Sequence, residues 1–300
     1  MIQLAHVHKK IDKEQILNDL TLTVHKGSIY GLLGSNGAGK TTMLKTLAGI
    51  LKQDKGTVTI KGENVYENND IKQSVFFMPD YPTFMPQYTT RQMAKFFQSI
   101  YPNWSEERFM MLGNIFELDI DKKIHTYSKG LQRQAAFWLA LSTNPSVFIL
   151  DEPFDGLDPV IRTKVKNLLV QEVAEREMTV IISSHNLREV EDLCDHIGII
   201  HKGTCILEKD IDDLKSDIHK IQVAFPKDIQ EDWKTQLKPV YVEQRGSVYM
   251  LIVKGEKQKI LADIQTFQPI LLDILPLTLE EIFIYEMGDL NYAIQNILLS

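Results

Sequence analysis

Cysteine is nearly missing from this chain: only Cys194 and Cys205 occur, at a spacing that fits no metal site. A disulfide framework is thereby excluded, and reduced, buried thiols of a cytosolic compartment are expected. An excess of basic charge is also missing. Lys and Arg number 33 against 40 Asp and Glu, a formal net charge of -7, so no basic face stands ready to release counterions from a nucleic acid. No apolar run approaches the roughly 20 residues that span a bilayer. The opening Met1-Ile2-Gln3-Leu4 has no basic segment leading into a long apolar one, so no secretory leader is expected there. No internal repeat is visible. The bulk composition, 44% hydrophobic and 24% charged over 300 residues, suits a globular protein of two domains.

Against that plain background stands Gly34-Ser35-Asn36-Gly37-Ala38-Gly39-Lys40-Thr41, a complete G-x-x-x-x-G-K-T phosphate loop. The apolar run Ile29–Leu33 enters it and the helical stretch from Thr42 leaves it. Glycines let successive backbone N–H groups turn inward around phosphates, and the helix N-terminus adds the positive end of its dipole. Lys40 would reach the β- and γ-phosphates, and the Thr41 hydroxyl would meet Mg²⁺. A nucleoside triphosphate is the expected ligand.

Short alternating runs over residues 1–76 read as strands, and residues 88–143 turn to helical spacing, with Ser105 before two glutamates as a helix start. After residue 143 a strand–helix–strand rhythm (147–150, 160–176, 179–183) implies a parallel sheet. A helix is expected over 186–195, a hairpin around Lys202-Gly203, a charged linker over 209–217, and a small α+β appendage beyond it. Val147–Leu150 is a buried-type strand ending in Asp151-Glu152. Beside a phosphate loop, Asp151 can hold the magnesium shell while Glu152 polarises a water for in-line attack. Tyr127-Ser128-Lys129-Gly130-Leu131-Gln132 stands directly before a long helix expected from Arg133 to Ser142 and makes a second anion site, which suggests that one of the two phosphate sites is used in trans. Asp155-Gly156-Leu157-Asp158 follows the acidic strand, and Ser183-Ser184-His185 ends the next one.

With these motifs in this order, residues 1–210 resemble the ATP-binding cassette ATPases. The resemblance implies an α/β fold of the P-loop NTPase class: a RecA-like core, an antiparallel β subdomain, a helical subdomain near residues 82–143, and a small C-terminal α+β domain. The implied division is 1–213 for nucleotide binding and 214–300 for an accessory role. It also implies an ATPase with Glu152, His185 and Lys40 as catalytic residues and with ATP and Mg²⁺ as cofactors. Ser35, Asn36, Gly37, Ala38, Gly39, Lys40, Thr41 and Thr42 would hold the phosphates. Two chains would pair head to tail as a homodimer on binding ATP. Ser128, Lys129, Gly130, Leu131 and Gln132 of one would close on the nucleotide of the other, with Asp158 linking the two sites. The partner would be an integral membrane permease, and the chain would lie peripherally at the cytoplasmic face of the cell membrane without inserting. A groove near 80–87, with Tyr81, Phe84 and Met85, would receive a permease helix.

Three positions depart from the family pattern. Ile11 stands where an aromatic ring usually stacks on adenine, forfeiting roughly 1–3 kcal/mol of stacking. Asp80 stands where a glutamine is expected after Met78-Pro79; it could bind Mg²⁺, yet it adds negative charge near the γ-phosphate, and Gln87 is out of register as a substitute. Lys129 stands where glycine is usual, either neutralising phosphate or pointing to solvent. The C-terminal region, with its Leu279–Phe283 run, is similar to the branch that exports drugs and peptide antibiotics, such as bacitracin-type or phenol-soluble-modulin exporters. The competing expectations are a soluble cassette acting on nucleic acid or ribosomes, and a regulatory nucleotide-binding module with little turnover.

Overall fold

A computed structural model describes residues 1–226 and 232–286. They divide into two units, one of residues 1–185 with 193–208, the other of residues 186–192 with the described residues from 209 onward.

In the first unit, alternation of apolar and polar residues builds a half-buried antiparallel sheet. Its strands are β1 (Ile2–Ile11), β2 (Glu14–Val24), β4 (Lys55–Ile60) and β5 (Glu63–Asn64), ordered β2-β1-β4-β5. The inward residues Leu4, Leu22, Val24 and Ile60 join one core with Leu32, Leu44, Ile149 and Ile181.

The second sheet carries the chemistry. It holds β3 (Ile29–Leu33), β6 (Val75–Met78), β7 (Val147–Asp151), β8 (Thr179–Ser184), β9 (His196–His201) and β10 (Thr204–Asp210), ordered β10-β9-β3-β8-β7-β6. From β9 to β6 every pairing is parallel. Every residue of β3, β7 and β8 is buried, as covering on both faces requires. The helices α1 (Lys40–Leu47) and α6 (Pro159–Arg176) provide crossovers. Register decides where the site lies: Leu33 pairs with Ser184 and Asp151 with Ser183. The phosphate loop, the two acids and His185 therefore leave the sheet at one common edge, the carboxyl ends of the strands, where ligands bind in open α/β sheets.

The short α2 (Asn69–Gln73) precedes β6. Helices α3 (Thr90–Ile100), α4 (Glu106–Phe116) and α5 (Lys129–Ser142) make up the helical region. Ser105 caps α4 as its spacing predicts, accepting from Arg108 N at 3.2 Å. Phe109 of α4 stacks on Trp138 of α5 with centroids 4.7 Å apart. Helix α5 begins four residues before the expected Arg133 start, because Ser128 accepts from Leu131 N and so caps a polar first turn.

The second unit has α7 (Leu187–Glu191), α8 (Ile211–Ser216), β11 (Ile218–Ala224), α9 (Asp232–Leu237), β12 (Tyr241–Arg245), β13 (Val248–Lys254), α10 (Lys257–Gln265), β14 (Leu271–Leu275) and α11 (Leu279–Glu286). From β11 to β14 the order is β-α-β-β-α-β, in an antiparallel sheet β12-β13-β11-β14, the split βαβ arrangement. Trp233, Leu237, Ile260 and Ile264 pack on Ile221, Val223 and Leu251 across one face of that sheet. Two local expectations change. The expected linker over 209–217 contains α8, because Asp210 caps it through Asp212 N and Asp213 N while Ile211 and Leu214 are buried. The helix expected over 186–195 stops at Glu191, since Asp195 N already donates to Ile29 O at the entry to the sheet. Residues 227–231 and 287–300 of the expected accessory domain lie outside the described residues.

Candidate functional site

The phosphate loop closes around a cavity of about 350 Å³ lined by Ser35, Asn36, Gly37, Gly39, Lys40, Thr41 and Thr42. Gly39 caps α1 with φ +108°, a left-handed conformation that a side chain would strain. Lys40 is buried; its Nζ donates to Gly34 O at 2.6 Å and lies 3.3 Å from Glu152 Oε1. Ala38 does not line the cavity. It is buried, and its carbonyl accepts from Gly203 N at 2.9 Å, so it braces the loop from behind.

Opposite the loop stand Asp80, Asp151 and Glu152. Thr41 Oγ1 donates to Asp151 Oδ2 at 2.7 Å, and Ser183 Oγ donates to Asp151 Oδ1 at 2.6 Å. Ser183 Oγ also accepts from Glu152 N at 3.0 Å, so one hydroxyl from β8 orients both acids. Glu152 has φ +46°, a rare conformation for a non-glycine residue and one that occurs where surrounding structure enforces it. Its Oε2 lies 2.9 Å from His185 Nδ1, at hydrogen-bonding distance. Asp155 completes a cluster with Glu152 and His185 whose ligand atoms all lie within 4.8 Å of one another.

Two departures read in the sequence take specific forms. Ile16 lines the cavity, whereas Ile11, at the end of β1, is exposed and does not line it. Asp80 does border the cavity, but its carboxylate is engaged: Oδ1 accepts from Arg133 Nη2 at 2.9 Å, and the same nitrogen donates to Asp80 O. Gln87 is tied elsewhere, accepting from Lys123 Nζ at 2.7 Å.

The Ser128–Gln132 segment does not meet the phosphate loop of its own chain. Lys129 and Gln132 line a neighbouring cavity of about 170 Å³ with Tyr81, Asp155 and Gly156. Lys129 Nζ lies 5.8 Å from the centre of the Tyr81 ring, within cation–π range. Gly130 approaches Gly156 O so closely that a Cβ would stand 2.8 Å from it, and Gln132 Nε2 donates to Tyr127 O at 2.8 Å. Leu131 gives its N–H to Ser128 Oγ, and Asp158 caps α6 through Val160 N and Ile161 N. Sequence reasoning passed over Arg133 and Ile16, and named Asp155 and Ser183 within their motifs without giving either a role. Of the two passed over, Arg133 left a signal, a cation opening a mostly apolar helix.

An all-oxygen corner of Thr41 and Asp151 beside a cationic, N–H-rich loop is a donor set that could hold a triphosphate and a hard cation. The relatives of the chain agree with that chemistry. Residues 17–155 match the ABC transporter family. The chain is 35% identical to the ABC transporter ATP-binding protein YtrB of Bacillus subtilis (strain 168), over 96% of this chain and 98% of that one. It is 34% identical to the bacitracin transport ATP-binding protein BcrA of Bacillus licheniformis, over 72% and 71%. In fold it is similar, at a TM-score of 0.64 and 23% identity, to an ATP-binding cassette solved as a dimer in a post-hydrolysis state with ADP and Pi, covering 70% of this chain and 99% of that one. The phosphate loop, the acidic strand end and these likenesses converge: the chain belongs to the ATP-binding proteins of ABC transporters and is an ATPase of that family.

Proposed function

We propose that this chain is the motor of an exporter for peptide antibiotics or other amphipathic peptides, working as an ATP-bound homodimer on a membrane permease. The observation that carries the motor half is the convergence of Lys40, Thr41, Asp151 and Glu152 on one cavity while Ser128 stays outside it. A helix start of anion-binding type that lies outside the phosphate-loop cavity of its own chain favours use in trans, across two copies paired head to tail, with Asp158 at the seam. The bacitracin-transport relative supports the cargo class. The permease reading is supported by a cavity of about 250 Å³ between core and helical region, lined by Phe76, Pro82, Phe84, Phe97 and Tyr101. Among the described residues no helix is long and apolar enough to cross a membrane, which fits peripheral attachment at the cytoplasmic face. Residues 1–213 would bind nucleotide and 214–300 would serve as the accessory domain.

In hydrolysis, the loop N–H groups and Lys40 hold the phosphates, Lys40 exchanging Gly34 O and Glu152 for phosphate oxygens. Thr41 and Asp151 fit Mg²⁺ because their oxygens already lie 2.7 Å apart. Bound there, the ion would neutralise phosphate charge. Glu152 takes a proton from water as its oxygen attacks the γ-phosphorus in line and ADP departs, with His185 holding the carboxylate through Nδ1. Asp80, bonded to Arg133, is a weaker metal candidate than Thr41 and Asp151.

The test is co-expression with the membrane protein encoded by the adjoining gene and purification in mild detergent. A stable complex whose ATPase responds to amphipathic peptides is expected. A permease that purifies without this chain, with ATPase indifferent to peptides, would overturn the exporter reading.

A further inference from the structure

Arg133 is buried, yet it is not spent on an ordinary surface ion pair. Its guanidinium forks across the site. One nitrogen, Nη1, donates to the backbone carbonyl of Glu152 at 2.5 Å; the other, Nη2, donates to both the carboxylate and the carbonyl of Asp80. Glu152 is the residue held at φ +46°, so the group that fixes its carbonyl also helps fix the left-handed turn that aims its side chain. Asp80 lines the phosphate cavity, where a bare carboxylate would repel a triphosphate. Arg133 sits one turn after Lys129, whose ammonium lies over the ring of Tyr81, the residue following Asp80. The first turns of α5 therefore grip the Asp80–Tyr81 segment at two points and the catalytic strand end at a third.

We propose that Arg133 is a positioning residue for ATP hydrolysis, a latch with two separable effects. Through the Glu152 carbonyl it sets the aim of the general base, and through Asp80 it cancels a negative charge beside the phosphates. This rests on Glu152 being the base. The two effects fall on different kinetic constants. Aim affects turnover, where a displacement of about 1 Å costs roughly a hundredfold. Charge affects ATP affinity. A planar fork with several donors can serve both partners at once; a lysine ammonium is a point charge on a flexible stem and serves them less well.

The experiment measures kcat and KM for ATP in the full chain for Arg133→Gln, Arg133→Lys, Asp80→Asn and the Asp80→Asn/Arg133→Gln pair, with Glu152→Gln as control. Arg133→Gln is expected to lower kcat by roughly ten- to a hundredfold and to raise KM about tenfold, because it leaves Asp80 unpaired. Adding Asp80→Asn should return KM to within about threefold of the wild type while kcat stays low, since the Glu152 carbonyl still lacks its donor. Arg133→Lys should keep KM near normal and recover only part of kcat. A merely structural arginine would not produce this split: the pair would be no better than Arg133→Gln on either constant. The proposal is overturned if Arg133→Gln leaves both constants within about twofold of wild type, or if Asp80→Asn fails to rescue KM. Should Arg133→Gln fail to fold, the Arg133→Lys split decides: equal loss in both constants refutes the latch. An active Glu152→Gln control would instead remove the base reading and leave the KM rescue as the measure of the charge effect.

Discussion

Replacing Glu152, the proposed base, with Gln keeps the side chain's volume and removes its charge, so the cavity keeps its shape while the base is lost. General-base assistance contributes about 10²–10⁴-fold, so phosphate release should fall by that factor, about 3–5 kcal/mol in the barrier. Binding should move the other way. Lys40 Nζ lies 3.3 Å from Glu152 Oε1, and their side chains are 7% and 13% exposed. At an effective dielectric of 20 that separation carries a gross attraction of about 5 kcal/mol, which ATP must replace to capture the lysine. Rehydration and side-chain freedom offset most of it, leaving about 1 kcal/mol and hence a roughly fivefold gain in ATP affinity for Glu152→Gln. The assay pairs single-turnover phosphate release with equilibrium titration of a fluorescent ATP analogue. A variant that keeps more than about a tenth of wild-type turnover, or that binds ATP more weakly, would refute the reasoning.

If Ser128 acts in trans, Lys40→Ala and Ser128→Arg chains are each inactive but their mixture regains activity, because a mixed dimer contains one intact composite site; a mixture as dead as its parts excludes the shared arrangement. Gly198→Ala in β9 would place a Cβ 2.1 Å from Tyr30 Oη, on a buried ring bonded to Glu208. A cost of about 1–3 kcal/mol lowers Tm by roughly 2–12 °C. Thermal melts check this, with Tyr30→Phe expected to restore part of the loss and an unchanged Tm refuting the contact. Burial, and after it the Glu208 carboxylate, push the Cys205 thiol up to about 11, while burial holds Cys194 above its ordinary range. At pH 8 only about one Cys205 in a thousand is thiolate; labelling by iodoacetamide should be slow and rise about tenfold per pH unit toward that value. Rapid alkylation of native protein at pH 8 would contradict it.

Much of the fold was legible because its signals are local. The Lys202-Gly203 hairpin, the Ser105 cap and the buried strand over 147–150 each rest on a few neighbouring residues, and each forms. Elements held by distant partners were harder to read. Helix α9 and strand β14 carry too little pattern of their own; Trp233 and Leu272 find their place only against Ile221 and Val223. The linker expected over 209–217 looked unstructured because its charges outnumber its apolar residues, yet Asp210 turns that same charge into a cap for α8.

By itself, the amino-acid order determined where the phosphate loop lies. Gly34 through Thr41 are contiguous, and a loop needs no remote residue to be a loop that binds anions. It also supplied the acids and the histidine as strand ends, since a buried apolar run must stop where polar side chains begin. Tertiary structure decided which of these groups share atoms. Only the parallel register of β7 and β8 puts Ser183 between Asp151 and Glu152. Only the docking of α5 brings Arg133 to Asp80, 53 positions away, and to Glu152, 19 positions away. A hydrogen bond demands placement to a few tenths of an ångström, and no spacing along a chain conveys that.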